Sequence, residues 1–362
     1  MISAQEKRVW TAWLSVPGIG RETFAKLIGW SEKEKTSLTD LWHQSPSRLL
    51  SSRQLDSLHI FQKKFSIDGY WQFLQQQAIK IVTIHDRSYP EKLQQIYDPP
   101  WLLFVKGKLK TESNTVGVVG TRRNTLYGKQ VTQKIVQELV SCQTTIISGF
   151  MYGIDTIAHK QAINAGGKTV AVLGYGFDHV GPASHQQLYQ KWLDKPDQVV
   201  FISEYPPSRS PRPGLFPLRN RIVAGLSDGV VVTEAAARSG SLITAQLAID
   251  GGRSVCAVPG SIFSRYSQGT RQLINQGACL VTSGHEVLEE LGWQFQVNQQ
   301  TSKQQPVATL EQKIIQELNA SPQTIDDLLR LFGVSIEELT ARLMDLEIRG
   351  VLRKEGVLYH VV

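Results

Sequence analysis

The chain has 362 residues, 41% of them hydrophobic and 20% charged, with a formal net charge of +7, which excludes wholesale disorder and calls for two or three domains of roughly 100–200 residues each. No apolar run approaches the roughly 18 residues of a membrane span, and Met1-Ile2-Ser3-Ala4-Gln5-Glu6-Lys7-Arg8 lacks the basic, apolar and cleavage regions of a secretory signal, so no membrane contact and a cytoplasmic location are expected. Cys142, Cys256 and Cys279 form no C-x-x-C pair and the eight histidines show no metal-ligand spacing, so free thiols, no metal and no cofactor are expected.

In chain order, Leu14-Ser15-Val16-Pro17-Gly18-Ile19-Gly20-Arg21 followed by Glu22-Thr23-Phe24-Ala25-Lys26-Leu27-Ile28 has the form of a helix-hairpin-helix turn. Its glycines allow a tight turn whose amides face a phosphate, or it is a purely structural helical hairpin; both readings stand. Residues 30–78 read as further short helices rich in Leu, Phe and Trp. Near residues 79–85 the helical spacing gives way to the strand-like Ile79-Lys80-Ile81-Val82-Thr83-Ile84, and we place the end of a helical, SAM-like domain at residue 85.

From residue 86 to 292, short β-branched runs at 115–119, 144–148, 169–173, 199–203, 229–233 and 254–258 recur with helix-compatible stretches between them. This is the pattern of βαβ units, and the expected fold class is α/β, an extended Rossmann-like doubly wound parallel sheet. Such sheets bind ligands at the carboxyl ends of their strands. Residues 293–308, crowded with glutamine, read as a linker. Residues 309–362 read as three helices and a hairpin around Glu355-Gly356, the outline of a winged helix.

Divided this way, the charge is +4 over residues 1–85 (11 basic, 7 acidic), +5 over 86–294 (21 and 16) and −2 over 295–362 (7 and 9). The presumed recognition helix of the last segment carries Glu337, Glu338, Asp345 and Glu347 against Arg342 and Arg349. A groove-reading helix needs basic charge, so this module is expected to contact protein or to regulate.

Common enzyme fingerprints fail in the middle segment. Gly166-Gly167-Lys168-Thr169 lacks the first glycine of a P-loop, which would fall at Ala162, and runs from helix into strand. Gly174 and Gly176 are followed by His179 where a dinucleotide signature needs glycine. H-E-x-x-H and G-x-S-x-G are absent. Asp155, Glu204 and Glu234 at strand ends either converge for acid–base chemistry on a glycosyl or phosphoryl bond, or cap helices and hold loops.

What the segment does offer suits a polyanion. Gly120-Thr121-Arg122-Arg123 places a glycine, a hydroxyl and two guanidinium groups between a strand and a helix. Arg238-Ser239-Gly240-Ser241-Leu242-Ile243-Thr244 places small hydroxylated residues before an apolar helix, with Ser239, Gly240, Ser241 and Thr244 as phosphate partners. Arg209-Ser210-Pro211-Arg212-Pro213-Gly214-Leu215-Phe216-Pro217-Leu218-Arg219-Asn220-Arg221 carries four arginines and no acid. Proline keeps its first half extended, so the arginines there are expected to project from a loop, where guanidinium forks bind phosphates; Asn220 can read a base edge, and Phe216 either stacks on a base or packs into the core.

The order of these pieces closely resembles the DNA-processing protein A family, also called Smf. The resemblance runs through Ser88-Tyr89-Pro90, Asp98-Pro99-Pro100, Gly120-Thr121-Arg122, Tyr127-Gly128, Ser148-Gly149-Phe150-Met151-Tyr152-Gly153-Ile154-Asp155, Ala158-His159, Ser203-Glu204-Tyr205-Pro206, the block from Phe216 to Ser227, Glu234-Ala235, the block from Ser239 to Ala245, and Val258-Pro259-Gly260. It implies a nonenzymatic, homodimeric protein that binds single-stranded DNA and loads the RecA recombinase during natural transformation. By that similarity Arg122 contacts phosphate while Gly120 and Thr121 shape its turn. Gly149, Gly153, Phe216, Arg219, Asn220 and Arg221 lie in blocks beside the DNA, Arg221 alternatively as an internal salt-bridge partner, with Lys160 and Lys168 as further contacts. Departures at Met151-Tyr152, at Gly181-Pro182 followed by His185, and at Arg271 bear on base contacts and leave the phosphate elements intact. The competing reading is a nucleotide-processing enzyme on the same core, such as a phosphoribohydrolase, although no Pro-Gly-Gly turn precedes Glu234.

Overall fold

The computed structural model describes residues 2–110, 114–294, 309–320 and 322–361. These fall into two compact units, divided between residues 295 and 296; most of the expected linker, residues 295–308, lies outside the described residues.

Helices α1 (Ala4–Ser15), α2 (Arg21–Glu34), α3 (Leu38–Gln44), α4 (Ser52–Gln62) and α5 (Ile67–Gln76) open the first unit. Ser3, Ser37, Ser51 and Ser66 each accept a backbone N–H from the first turn of α1, α3, α4 and α5, which satisfies donors a helix end otherwise leaves unpaired. The aromatic residues form the interior. Trp13 and Trp42 meet edge to face at 5.2 Å, Trp10 and Phe24 at 5.5 Å, and the Trp13 indole N–H donates to the Leu38 carbonyl at 3.0 Å. Large rings with one polar handle hold short helices that propensity alone would not.

The sheet begins with β1 (Lys80–Thr83), before the boundary expected at residue 85, and continues through α6 (Glu91–Gln94), β2 (Leu102–Lys106), β3 (Thr115–Val119), α7 (Leu126–Ser141), β4 (Thr145–Ser148), α8 (Ile154–Asn164), β5 (Thr169–Leu173), α9 (Gln186–Leu193), β6 (Val199–Ser203), α10 (Leu215–Leu226), β7 (Gly229–Val232), α11 (Gly240–Asp250), β8 (Ser254–Ala257), α12 (Gln268–Asn275), β9 (Cys279–Leu280) and α13 (Gly284–Glu290). The strand order among the described residues is β1-β2-β6-β5-β4-β3-β7-β8-β9. From β6 to β9 all neighbours are parallel, while β2 pairs antiparallel with β6 and β1 with β2.

The mixed α/β class and its parallel core therefore match the expectation from the β-branched runs, which become β3 to β8. Strand β5 shows why those runs carry no polar alternation. Val170 and Val172 enter the core under α10 and α11, whereas Ala171 and Leu173 enter the one shared with the N-terminal helices, so both faces are covered. The chain leaves β3 toward β4 on one side and returns to β7 on the other. That reversal opens a crevice at the carboxyl ends of β3 and β7. Cys256 and Cys279, distant in sequence, are register partners on β8 and β9; both are free thiols, and burial pushes Cys256 up to about 12.

The second unit comprises α14 (Leu310–Ala320), β10 (Gln323–Thr324), α15 (Ile325–Phe332), α16 (Ile336–Ile348), β11 (Leu352–Glu355) and β12 (Leu358–Val361), a winged helix as expected. Thr324 and Asp327 form a capping box, Gly333 ends α15 at φ 62° and Ser335 caps α16, so local chemistry sets each boundary. On α16, Arg342 pairs with Glu311 at 3.0 Å and Arg349 with Asp345 at 2.9 Å.

Candidate nucleic-acid interface

Strand β3 delivers its chain into a turn held from two sides. The Thr121 amide donates to the Glu234 carbonyl, beyond β7, at 2.7 Å, and the Thr121 carbonyl accepts from the Ile154 amide, at the start of α8, at 3.2 Å. Gly153 has φ +77°, and a Cβ there would run into the Thr121 carbonyl and the Arg122 backbone. It is thus a scaffold position that lets α8 approach the turn. Arg122 projects from this turn into solvent with its guanidinium carbon 5.7 Å from the centre of the Phe216 ring, within cation–π range.

The turn forms one wall of a cleft of about 470 Å³ at the switch point. The opposite wall is the N-terminus of α11, where Ser239 accepts from the Ser241 amide and its hydroxyl lies 2.8 Å from that of Ser241. Thr244 lines the same wall one turn on. Unpaired amides and the helix dipole give this end a partial positive charge. No acidic side chain stands in the first turn to neutralise it.

The floor holds Arg219, only 4% exposed, whose Nε has no hydrogen-bond partner among the described residues. Gly149 passes so close that a Cβ would strike both the Arg219 guanidinium and the Asp155 carboxylate. Burial, the largest influence, pulls Arg219 below its ordinary range, with Asp155 opposing. Burial also pushes Asp155 up to about 6, with Arg219 again opposing. Behind them His159 hydrogen-bonds the Gly149 carbonyl at 2.5 Å and Thr169 Oγ1 at 2.6 Å, and burial lowers it to about 4. The result is a recessed cation, an exposed cation and a helix N-terminus converging on one space. That suits an extended polyanion whose phosphates reach in and whose bases remain outside.

Of the residues expected at the site, Gly120, Thr121, Arg122, Gly149, Phe216, Arg219, Asn220, Ser239, Gly240, Ser241 and Thr244 all line this cleft. Phe216 is half-buried, between the two readings of it: its ring meets Tyr175 edge-on at 6.3 Å and Arg122 covers it. The Asn220 amide donates to the Gly240 carbonyl at 3.3 Å, fastening α10 to α11. The first half of the arginine-rich stretch is a loop, and from Leu215 it is α10.

Gly153, Lys160, Lys168 and Arg221 lie outside the cleft lining, and Arg221 takes up the second of its two readings, as an internal salt-bridge partner. Its Nη2 donates to the buried Glu204 at 2.6 Å and its Nε to the part-exposed Asp98 at 3.0 Å, a network that Arg21 joins through Asp98. Lys160 is exposed on α8, outside the cleft lining. Lys168 precedes β5 at the amino end of the sheet, beside Lys110, which lowers its pKa. The three carboxylates do not converge either: Asp155 faces Arg219, Glu204 holds Arg221, and Glu234 accepts from the Thr125 hydroxyl at 2.6 Å and its amide at 2.9 Å. Met151, one of the family departures, also lines the cleft, as does Tyr266 in the segment between β8 and α12, for which no local sequence signal stands out. Two of the family departures meet in space, Tyr152 packing edge to face on His185 at 5.1 Å.

Residues 80–292 match the model of the family described as DNA recombination-mediator protein A, and residues 298–356 that of the DprA winged helix domain. The chain belongs to the DNA recombination-mediator protein A family. The chain is 38% identical over 264 residues to DNA processing protein DprA of Bacillus subtilis strain 168, covering 69% of this chain and 88% of that one. It is 32% identical over 355 residues to Protein Smf of Escherichia coli K12, covering 95% and 93%. The X-ray structure of DprA from Streptococcus pneumoniae superposes with a TM-score of 0.67 at 35% identity, covering 82% of this chain and all of that one. A structure of DNA processing protein A from Helicobacter pylori, described as giving insight into its unique single-stranded DNA binding mode, aligns with a TM-score of 0.52 at 28% identity, covering 59% and 95%. The recombination-mediator match spans the sheet from β1 onward, so the family's common core contains the whole cleft.

Proposed function

We propose that this protein binds single-stranded DNA by its phosphate backbone in the cleft between the Gly120-Thr121-Arg122 turn and the N-terminus of α11, and loads the RecA recombinase on that strand during natural transformation, acting in the cytoplasm as a homodimer and without catalysis. The observation that carries this is the buried Arg219 guanidinium opening beside a helix N-terminus with no acidic side chain in its first turn, with Arg122 exposed above it. The single-stranded DNA binding described for the Helicobacter pylori relative supports it. The separate partners of Asp155, Glu204 and Glu234 count against a phosphoribohydrolase-like enzyme, which needs its acid and base at one bond. The paired arginines and acidic surface of α16 favour a protein-contact role for the winged helix.

The test compares single- and double-stranded DNA of one sequence across a salt titration, with nucleotide turnover assayed in parallel. Preference for the single strand, a log–log slope of about −0.7 per phosphate contacted and no turnover are expected. Equal or tighter duplex binding, or turnover of a nucleotide, overturns the proposal. RecA assembly on strands already coated with single-strand binding protein should quicken when this protein is added; unchanged assembly removes the loading role.

A further inference from the structure

A strand held in the cleft by its phosphates leaves its bases outside, so the aromatic rings at the rim decide where a base can rest. The lining rings Phe216 and Tyr266 each already carry an arginine, Arg122 at 5.7 Å and Arg265 at 4.8 Å. Tyr152 follows Met151 of the lining and is 46% exposed. A Cβ on its neighbour Gly153 would lie 2.8 Å from the Arg122 Cα. With consecutive Cα atoms about 3.8 Å apart, the Tyr152 and Arg122 Cα atoms are within about 8 Å of one another. Both side chains leave the same corner of the cleft.

The Tyr152 ring is held before any ligand arrives. Its hydroxyl lies 2.9 Å from Ser184 Oγ, and it meets His185 edge to face at 5.1 Å. His185 is itself buried against Phe150, 5.1 Å away. With the tip engaged, the surface that Tyr152 leaves to solvent is mainly ring carbon in one orientation, so a group that stacks on it has little left to order. Ser184 and Lys160 are exposed beside this corner; burial and then Lys160 lower His185, which places that cation nearby. One open ring between a hydroxyl and two cations, Arg122 and Lys160, is not the contiguous apolar patch of a protein interface. It matches a nucleotide, whose base offers a π-face and whose phosphate carries the charge.

We infer that the Tyr152 ring is the platform on which one base of the bound single strand stacks, beside the phosphate held by Arg122. The inference deepens the single-strand reading of the cleft and rests on it. Every base has a π-face, so Tyr152 adds affinity without selecting sequence.

The test titrates full-length protein with labelled oligo-dT by fluorescence anisotropy at several salt concentrations. Tyr152→Leu keeps apolar cover over His185 and removes the ring. It should bind at least about fivefold more weakly at every salt concentration, the equivalent of about 1 kcal/mol for one stacked base. Its log–log salt slope should be that of the wild type, because no phosphate contact is lost. Tyr152→Phe should bind within about twofold of wild type, since the ring remains and only the Ser184 contact goes. A loss below about fivefold in Tyr152→Leu, a slope flattened by about 0.7 as for a lost phosphate contact, or a Tyr152→Phe as weak as Tyr152→Leu overturns the inference and leaves the cleft proposal standing. Failure of the wild type to bind oligo-dT removes the cleft proposal and this inference with it.

Discussion

Arg122 and Arg219 face one cleft from opposite physical situations. Arg122 is exposed and strongly hydrated, so its contribution to binding is mainly counterion release: Arg122→Ala should weaken single strands of every sequence and flatten the salt slope by about 0.7. Arg219 is desolvated before the ligand arrives, and a charge-assisted hydrogen bond made there meets little competition from water. Arg219→Ala should therefore cost about 10- to 100-fold in affinity, measured in the same titration, and a loss no larger than that of Arg122→Ala would show that its burial confers nothing.

The groups behind Arg219 titrate in opposite senses. Asp155, raised to about 6 by burial, holds a proton in the folded state that the unfolded chain releases near its ordinary 3.8, so its contribution to stability falls as pH rises from about 4 to 6. His159, lowered to about 4, gives a contribution that rises over nearly the same window. The two offset one another. Asp155→Asn should unmask a stability that rises with pH between about 4 and 6, and His159→Asn one that falls, each by about 1.4 kcal/mol per pH unit at most relative to wild type. Denaturant unfolding at several pH values checks both signs.

Elements meet at the switch point through a few backbone contacts. Gly153 lets α8 start against the Thr121 carbonyl, and replacement by Ala demands both a positive φ and space that the Arg122 backbone fills. Gly153→Ala should destabilise the fold by about 1–3 kcal/mol and weaken DNA binding by moving the turn; unchanged melting would show that the turn is not held this way. Arg221 works at the same scale, joining α10 to the Asp98 loop and to Glu204 at the end of β6. Arg221→Ala strands a buried carboxylate and should cost about 3–5 kcal/mol of stability, whereas the exposed Arg122→Ala should change it by less than about 0.5 kcal/mol. The two arginines are distinguished by partners that lie far away in the chain.

At the scale of the whole molecule, the charge division between segments leads to a separate expectation. The winged helix is net acidic, and Arg342 and Arg349 are already paired. Removing residues 309–362 should leave single-strand affinity within a few-fold, as binding isotherms of the truncated and full chains would show. A large loss would place DNA on α16 despite its charge.

What could be read along the chain was local. Strand runs buried on both faces, serine caps, the glycine turn after β3 and the acidic third segment are each encoded within a few neighbouring residues, so the parallel sheet, the winged helix and most of the cleft lining were legible before any coordinates. The Asp155 charge beneath Arg219 and the identity of Asp98 and Glu204 as the partners of Arg221 were not. Each depends on which side chains the strand order β6-β5-β4-β3-β7 brings together across long separations, and on which of them are left without water. The sequence alone determined the elements and the sign of their charge; only the tertiary structure decided which arginines are locked in ion pairs and which open onto the cleft, because burial and pairing are properties of three-dimensional neighbours.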